Sequence, residues 1–194
     1  MARPREFDER AVLDAAQGAF RAHGYAGTSL QELMDATGLG KGSLYAAFGD
    51  KHGLYLRVLD DYARRNVDRV GEALGAGQPR ALDALRAHLL AAARSATTGP
   101  SCLLASSTAE LADVDAEVGE RVAAAFGELS RCYTAAVARA QEEGDVAADA
   151  DPAALGGMLL AVARGLEALG HAGTPEPSLV RTAEAALAAL PRPR

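Results

Sequence analysis

The only two lysines of the chain, Lys41 and Lys51, lie in one short region that is also rich in hydroxyl groups. Lysine ammonium groups bind phosphate oxygens, and in a DNA major groove they also reach the edge of guanine. Hydroxyl side chains in the same region could donate hydrogen bonds to phosphate, and these belong to Thr28, Ser29, Ser43 and Tyr45. One interpretation of this region is a surface that contacts nucleic acid. The alternative is two solvated surface lysines beside a core tyrosine.

Residues that could support catalysis or metal binding show no comparable grouping. The histidines His23, His52, His88 and His171 lack metal-ligand spacing. Two cysteines thirty positions apart cannot build a disulfide framework or a four-ligand zinc site. We find no pair of nucleophile and base, and no phosphate loop of the GxxxxGKS type. We therefore expect that the protein is not an enzyme and that it binds no metal and no cofactor.

The lysines must be positioned by short helices near the N-terminus. Within residues 8–23, Val12, Leu13, Ala16 and Phe20 form an apolar stripe at helical spacing. Gly24 suits a left-handed cap that ends this helix. A second helix is predicted to start with a capping box between Thr28 and Gln31 and to end at Gly38. Its apolar positions follow helical spacing.

A third short helix follows almost at once. Leu44 and Phe48, four positions apart, predict its buried side, and Gly49 ends it. The intervening residues then face outward, as does Lys41. Two short helices joined by a three- to four-residue turn containing glycine make a helix-turn-helix, although many helical hairpins share this pattern.

The run TSLQELMDATGLGKGSLYAAFGDKHGLYLRVL, residues 28–59, resembles the DNA-binding region of the tetracycline repressor (TetR) family of bacterial regulators. The matching positions are Thr28, Ser29, Glu32, Leu33, Ala36-Thr37-Gly38-Leu39, Lys41-Gly42-Ser43-Leu44-Tyr45, Phe48 and Lys51. Three residues depart from the family pattern. Met34 replaces a small alanine, Gly40 replaces a Ser or Thr that could cap helix three, and Ala47 replaces a His or aromatic residue.

DNA contacts can be assigned on this basis. Gly40 and Gly42 would let the backbone approach a groove about 12 Å wide, while Lys41 reaches a guanine edge. The expected phosphate contacts come from Thr28, Ser29, Tyr45 and Lys51. Near the N-terminus, Arg3 and Arg5 could enter the minor groove, or they could belong to a solvated tail.

Helices four to seven follow from apolar spacing and from breaks at glycine and proline. Helix four is expected over 51–74, with Asp50 as its N-cap and with Leu54, Val58 and Tyr62 on one face. Helix five is expected over 82–97, burying Leu82, Leu85 and Leu89. The run SCLLASSTAEL then precedes a long helix at about 115–143.

Helices eight and nine carry spacings of three and four that are typical of heptad seams. The seam positions are Leu155, Leu159, Val162, Leu166 and Leu169, followed by Leu179, Ala183, Ala186 and Leu190. Two such helices per subunit would build a four-helix bundle across a two-fold axis, which the TetR resemblance also implies. The alternative is an internal hairpin of one protomer.

Between helices four and eight the family has an effector pocket. The candidate lining residues are Tyr62, Leu85, His88, Leu89, Cys102, Phe126, Tyr133 and Met158, each of which could instead belong to the core. Few buried charges would suit an apolar or weakly polar ligand. Cys102, at a helix start, could sense oxidants or electrophiles; Cys132 is a weaker candidate, and both could be inert.

Composition predicts an all-α fold of about nine helices. The chain has 194 residues with 45 alanines, no isoleucine and no tryptophan. No apolar run long enough to span a membrane is expected, and the location is expected to be cytoplasmic. We expect a DNA-binding domain over 1–50 and an effector-binding and dimerisation domain over 51–194, with helix four as connector.

A net charge of −6, taken over the whole chain, argues against DNA binding, but the distribution of the charges removes the objection. Residues 1–70 hold 10 basic and 10 acidic side chains, so the acidic excess lies in residues 71–194. We expect a homodimeric repressor that binds a double-stranded operator and is released by an unidentified small molecule. A helical adaptor without operator binding and a repressor switched by oxidation of Cys102 remain alternatives.

Overall fold

The computed structural model describes residues 7–75, 77, 80–99 and 101–193. Arg3 and Arg5 lie outside these residues. Within them the chain forms nine helices and no strand, as the composition predicts. The helices are α1 (Glu9–Gly27), α2 (Leu30–Thr37), α3 (Lys41–Phe48), α4 (Lys51–Leu74), α5 (Ala81–Ser95), α6 (Leu103–Glu110), α7 (Ala116–Glu142), α8 (Pro152–His171) and α9 (Glu176–Ala188).

The chain divides into two compact units. The first comprises residues up to Arg65 together with the stretch that ends at Ala123, and the second comprises Asn66–Gly99 and Ala124–Arg194. The first unit contains α1, α2, α3 and α6 with the beginnings of α4 and α7. The second contains α5, α8 and α9 with the remainders of α4 and α7. The functional boundary expected at residue 50 falls inside the first unit and stays a prediction.

The first unit has an apolar core between its short helices. Phe20, Leu33 and Leu44 are each at most 2% exposed, and the rings of Phe20 and Tyr55 pack edge to face with 4.9 Å between centroids. Gly24 has a φ of 73° and a non-helical backbone, so the regular part of α1 is interrupted at the glycine where the sequence predicts its end, and a short turn continues to Gly27. This kink directs the chain toward α2.

The predicted capping box of α2 is wrong by one residue. Ser29 is the N-cap: its hydroxyl accepts from the Glu32 amide, and the Glu32 carboxylate accepts from the Ser29 amide. Thr28 is fully buried, and its hydroxyl donates to the Gly24 carbonyl oxygen at 2.6 Å. The hydroxyl is therefore engaged inside the fold, which leaves it unsuited to the phosphate contact expected from the sequence.

The core of the second unit lies where α5, α8 and α9 pack together, with the second part of α7 alongside. Leu85, Leu89 and Tyr133 are completely buried, whereas Leu82, expected in the core, is only half-buried. Gly156 of α8 faces Thr134 of α7, because an added Cβ would lie 2.7 Å from the Thr134 nitrogen. This glycine therefore permits close helix packing inside the unit.

Helix α8 is also long and apolar enough, by length and composition, to cross a membrane, which the sequence analysis did not anticipate. Its mean hydropathy reaches 1.4 over an 18-residue window, of which 33% is buried. Core helices of soluble proteins meet the same criterion, so this is weak evidence for a membrane span. It does show that much of the apolar surface of α8 is uncovered in the protomer.

Candidate DNA-binding surface and effector cavity

Helix α3 presents a narrow, polar face to solvent. Leu44 and Phe48 point into the core, whereas Lys41, Ser43 and Tyr45 are exposed. The Lys41 ammonium lies 5.5 Å from the centroid of the Tyr45 ring, a cation–π contact on the same face. The burial pattern expected from the sequence is therefore present, with its polar side chains grouped together.

The fold does not require glycine at positions 40 and 42 on this face. Gly40 has a φ of −70° and an extended backbone that other residues adopt readily. A Cβ built on Gly40 or Gly42 meets no atom within 4 Å. Gly53 differs, because its Cβ would lie 2.1 Å from the Phe48 carbonyl oxygen, so packing between α3 and α4 requires glycine there. The narrowness of the α3 face is thus not imposed by internal packing.

Lys51, the second lysine, is the first residue of α4. Asp50 accepts a hydrogen bond from the Gly53 amide at 2.8 Å and acts as the expected N-cap. The Lys51 ammonium lies 4.4 Å from the centroid of the Tyr25 ring. Tyr25 thereby restrains a lysine that would otherwise sample many rotamers.

Helix α6 holds the linker between α1 and α2, a contact that sequence reasoning missed. The Glu110 carboxylate accepts hydrogen bonds from the backbone amides of Tyr25 at 2.8 Å and Ala26 at 2.6 Å. An added Cβ on Gly24 would lie 2.8 Å from Glu110 Oε2, so glycine also makes room for this carboxylate. Glu110 is therefore a positioning residue for the segment that leads into α2.

A second link from α6 reaches α4 through buried hydroxyl groups. Tyr55 and Ser107 are at most 1% exposed, and their oxygens lie 2.7 Å apart. Because the Ser107 hydroxyl donates to the Leu103 carbonyl at 2.6 Å, Tyr55 supplies the proton between them. Burial raises the pKa of Tyr55, so the phenol stays neutral and able to donate.

The second unit contains a cavity of about 510 Å³, here named the α4–α5–α8 cavity. It is partly open to solvent, and its volume falls in the usual range for small-ligand sites. Its polar lining comes from Asn66, Arg69, His88, Ser95, Arg164 and Glu167, and its apolar lining from Val70, Ala73, Ala84, Ala87, Ala91 and Ala92.

Of the eight residues expected to line a pocket, His88 alone is part of the described lining of this cavity. Tyr133 contacts the His88 ring, with 5.6 Å between centroids, but is itself completely buried. Leu85 and Leu89 belong to the core, and neither Phe126 nor Met158 lines the cavity.

Burial, together with the positive charges of Arg164 and Arg69, lowers the pKa of His88 to about 4. The imidazole is therefore neutral near pH 7.

Tyr62 and Cys102 lie together in the first unit. The Tyr62 hydroxyl donates to Cys102 Sγ at 3.6 Å, and Cys102 is 8% exposed at the N-cap of α6. A sensing role for this thiol stays a prediction. Cys132 is half-buried, and burial raises the pKa of its thiol, which disfavours the reactive thiolate.

The heptad seam divides into two groups. Leu159, Leu166, Leu179, Ala183 and Leu190 are buried inside the protomer, so the internal hairpin accounts for them and they are not available to a second copy. Leu155, Val162, Leu169 and Ala186 remain partly or largely exposed. A dimer interface on this seam stays a prediction, and the four exposed residues are the ones with surface to offer a second copy.

Comparison with known proteins identifies the family. The family described as "Bacterial regulatory proteins, tetR family" matches residues 12–58, and "Tetracyclin repressor-like, C-terminal domain" matches residues 77–185. The second match alone spans more than half of the 194 residues. The chain belongs to the tetR family of bacterial regulatory proteins and is a DNA-binding transcriptional regulator of the helix-turn-helix type.

Individual relatives agree with this assignment. The HTH-type transcriptional repressor ComR of Escherichia coli K12 is 27% identical over 192 residues, covering 97% of this chain and 91% of its own. A solved structure of the TetR family regulator CifR, a cysteine mutant complexed with 26-bp double-strand operator DNA, is 31% identical with a TM-score of 0.83, covering 97% of this chain and 100% of that one. A TetR regulator from Chloroflexus aurantiacus is 27% identical with a TM-score of 0.80, covering 93% and 91%.

Proposed function

We propose that the protein is a homodimeric repressor that binds a palindromic operator through α3 and is released by a small molecule. The observation that carries the proposal is the α3 face, where Gly40 and Gly42 leave space that the fold does not need. A narrow first turn lets a recognition helix bring its backbone close to DNA. The operator complex of CifR, which shares the fold, supports this interpretation.

The polar side chains around α3 are candidates for two kinds of DNA contact, with bases and with phosphates. Lys41 is the candidate for base contact, because it lies in the first turn of the exposed face. Ser43, Tyr45, Ser29 and the restrained Lys51 are candidates for phosphate contacts, which fix orientation without reading sequence. The Ser29 oxygen accepts the Glu32 amide, so its own proton can still be donated to a phosphate.

Dimerisation is supported by an uncovered apolar stripe on α8. Leu155, Met158, Val162, Gly165 and Leu169 follow one another at spacings of three and four, and none of them is buried. Leu169 is 48% exposed, and a Cβ on Gly165 would meet no atom within 4 Å. A second copy packing on this stripe would cover the apolar surface and bring two α3 helices to half-sites about 34–36 Å apart.

Release by an effector requires that the ligand bind the DNA-incompetent conformation more tightly. Helix α4 carries Lys51 at its start and the cavity residues Asn66 and Val70 near its end. A ligand in the α4–α5–α8 cavity would therefore act on the same helix that carries a phosphate contact.

The proposed role is regulation and not catalysis. We place the protein in the cytoplasm, where its operator lies.

A gel-shift titration with the DNA upstream of the protein's own gene tests operator binding. A retarded complex below micromolar protein is expected, and dimers are expected by analytical ultracentrifugation. Dimers without any retarded complex would instead favour the adaptor function.

Lys51→Ala tests the phosphate contact against a matched control. The variant should weaken all DNA sequences alike and reduce the slope of log affinity against log salt by about 1. Arg57→Ala removes a positive charge from the same helix, where Arg57 pairs with Glu9 at 2.5 Å, and should leave the slope unchanged. Equal slopes for wild type and Lys51→Ala would exclude a phosphate contact at Lys51.

A further inference from the structure

The polar lining of the α4–α5–α8 cavity indicates the chemistry of its ligand. From it we infer that the cavity takes a small amphipathic carboxylate, whose anionic group is bound by Arg69, Asn66 and His88 and whose apolar body lies on the alanines of α5. This inference rests on the proposed effector role of the cavity. It is more specific than the apolar or weakly polar ligand expected from the sequence.

Asn66 supplies a hydrogen-bond donor that the described protein atoms leave unused. The residue is 3% exposed, and its side-chain oxygen accepts from Arg69 Nη2 at 2.5 Å. Its Nδ2 has no hydrogen-bond partner in the part of the chain that the structure describes. A buried amide is rarely left unpaired, so an acceptor atom of a ligand is its natural partner.

His88 adds a second group with unused capacity. Its Nε2 is buried and has no hydrogen-bond partner among the described residues. The low pKa of His88 keeps the ring neutral, and in the tautomer with hydrogen on Nε2 this cavity-lining residue offers a donor. Asn66 and His88 both line the cavity, and two unused donors match a group that only accepts hydrogen bonds, as a carboxylate does.

The charges of the lining make the preferred group an anion. Arg164 pairs with Glu167 at 2.9 Å, so these two charges offset each other. Arg69 donates to the neutral amide of Asn66, and no ion pair with a carboxylate is recorded for it among the described residues. The lining side chains therefore carry a net positive charge, and a guanidinium binds a carboxylate through two parallel hydrogen bonds.

The rest of the lining is apolar and made of small side chains. Val70 and five alanines enclose most of the cavity of about 510 Å³, where larger residues would fill the space. The apolar side chains form a hydrocarbon surface, and the polar groups contribute hydrogen bonds and charge. A ligand with a carboxylate and an aliphatic or aromatic body satisfies both parts.

Isothermal titration calorimetry with octanoate and phenylacetate, each compared with its amide, tests the ligand class. The acids should bind, and the amides should bind at least tenfold more weakly, a difference of about 1.4 kcal/mol. Arg69→Gln should weaken octanoate at least tenfold, whereas Arg69→Lys should retain part of the affinity. Arg86→Gln, at an exposed site on α5 that pairs with Glu184 outside the cavity, is the matched control and should bind as wild type.

Three results would overturn the inference: amides that bind as tightly as the acids, Arg69→Gln that binds octanoate as wild type does, or no binding of either acid at millimolar concentration. Thermal unfolding of each variant without ligand checks that the fold is intact. The gel shift separates this inference from the proposed function. Operator binding without acid binding refutes the ligand class alone, whereas acid binding without operator binding refutes the repressor role alone.

Discussion

Replacing Gly42 by alanine should stabilise the protein while weakening its binding to the operator. Gly42 is the second residue of α3, is exposed, and has open space where a Cβ would lie. Alanine is favoured over glycine in helices by about 0.8–1.0 kcal/mol, and somewhat less at a helix start. A gain of about 0.5–1 kcal/mol corresponds to a rise in Tm of about 1–4 °C for a chain of this size.

The same methyl group should impair contact with DNA. It would stand on the outer face of α3, between Lys41 and Ser43, where the helix backbone is proposed to approach the groove most closely. Inserting a methyl group into a well-packed contact costs about 1–3 kcal/mol. The dissociation constant for the operator should therefore rise about tenfold or more, since tenfold corresponds to about 1.4 kcal/mol. Thermal unfolding and fluorescence anisotropy with a labelled operator measure the two effects.

Gly18→Ala is the matched control, because Gly18 is an exposed glycine inside α1 that also has no atom within 4 Å of an added Cβ. It should gain similar stability and bind the operator as wild type does. If Gly42→Ala bound as tightly as Gly18→Ala, the narrow face of α3 would not serve close approach to DNA. If Gly42→Ala lowered the Tm, the space around Gly42 would be smaller than the structure shows.

Three further substitutions test the links and the cavity. Glu110→Gln weakens the two hydrogen bonds that this side chain accepts from backbone amides of the α1–α2 linker, one of them from Tyr25. The free energy of unfolding in urea should fall by about 1–2 kcal/mol, and operator affinity should fall with it. An unchanged affinity would refute the positioning role. Tyr55→Phe leaves the Ser107 oxygen without its donor and should cost about 1 kcal/mol; an unchanged urea midpoint would contradict that bond. The native pKa of His88, about 4, lies below its unfolded value, so protonation favours the unfolded chain. The free energy of unfolding should be fully retained above about pH 6.5 and should fall as the pH falls toward 4. At pH 5 the loss should be roughly 2 kcal/mol relative to His88→Gln. Parallel pH profiles of wild type and His88→Gln would show the pKa to be unperturbed.

The bounds of several helices could be predicted because local signals set them. Helix α4 runs over Lys51–Leu74 as expected, since Asp50 caps its start. Gly38 has a φ of 69° and ends α2, as its position in the pattern indicates. The family resemblance likewise rested on a contiguous run of residues, so it could be recognised without any tertiary information.

The capping box was misplaced because two adjacent registers satisfy the same rule. Thr28 with Gln31 and Ser29 with Glu32 both have the required spacing. Burial of Thr28 against α1 decides between them, and that is a tertiary contact. Similarly, Glu110 could not be assigned to the α1–α2 linker, because the two lie about 85 residues apart in sequence.

The cavity left a partial signal in the sequence. Asn66 stands four residues after Tyr62 and four before Val70, so a polar side chain occupies the apolar stripe of α4. Arg164 and Glu167 are the only Lys, Arg, Asp or Glu residues in α8, and they too stand among apolar neighbours. Arg69 gave no such signal, because its side chain is exposed at the open cavity and resembles any surface arginine in the sequence.

The heptad pattern of α8 was ambiguous because two seams share three of their five positions. The predicted seam used Leu159 and Leu166, which the structure buries against the protomer's own helices. The uncovered stripe uses Met158 and Gly165 in their place, with Leu155, Val162 and Leu169 common to both. A pattern search that favours large apolar residues selects leucine over glycine. Glycine, however, has no side chain and lets a helix pack closely against a second copy of itself. The residues least conspicuous in the sequence are thus the ones that distinguish an internal face from a face available to a second subunit.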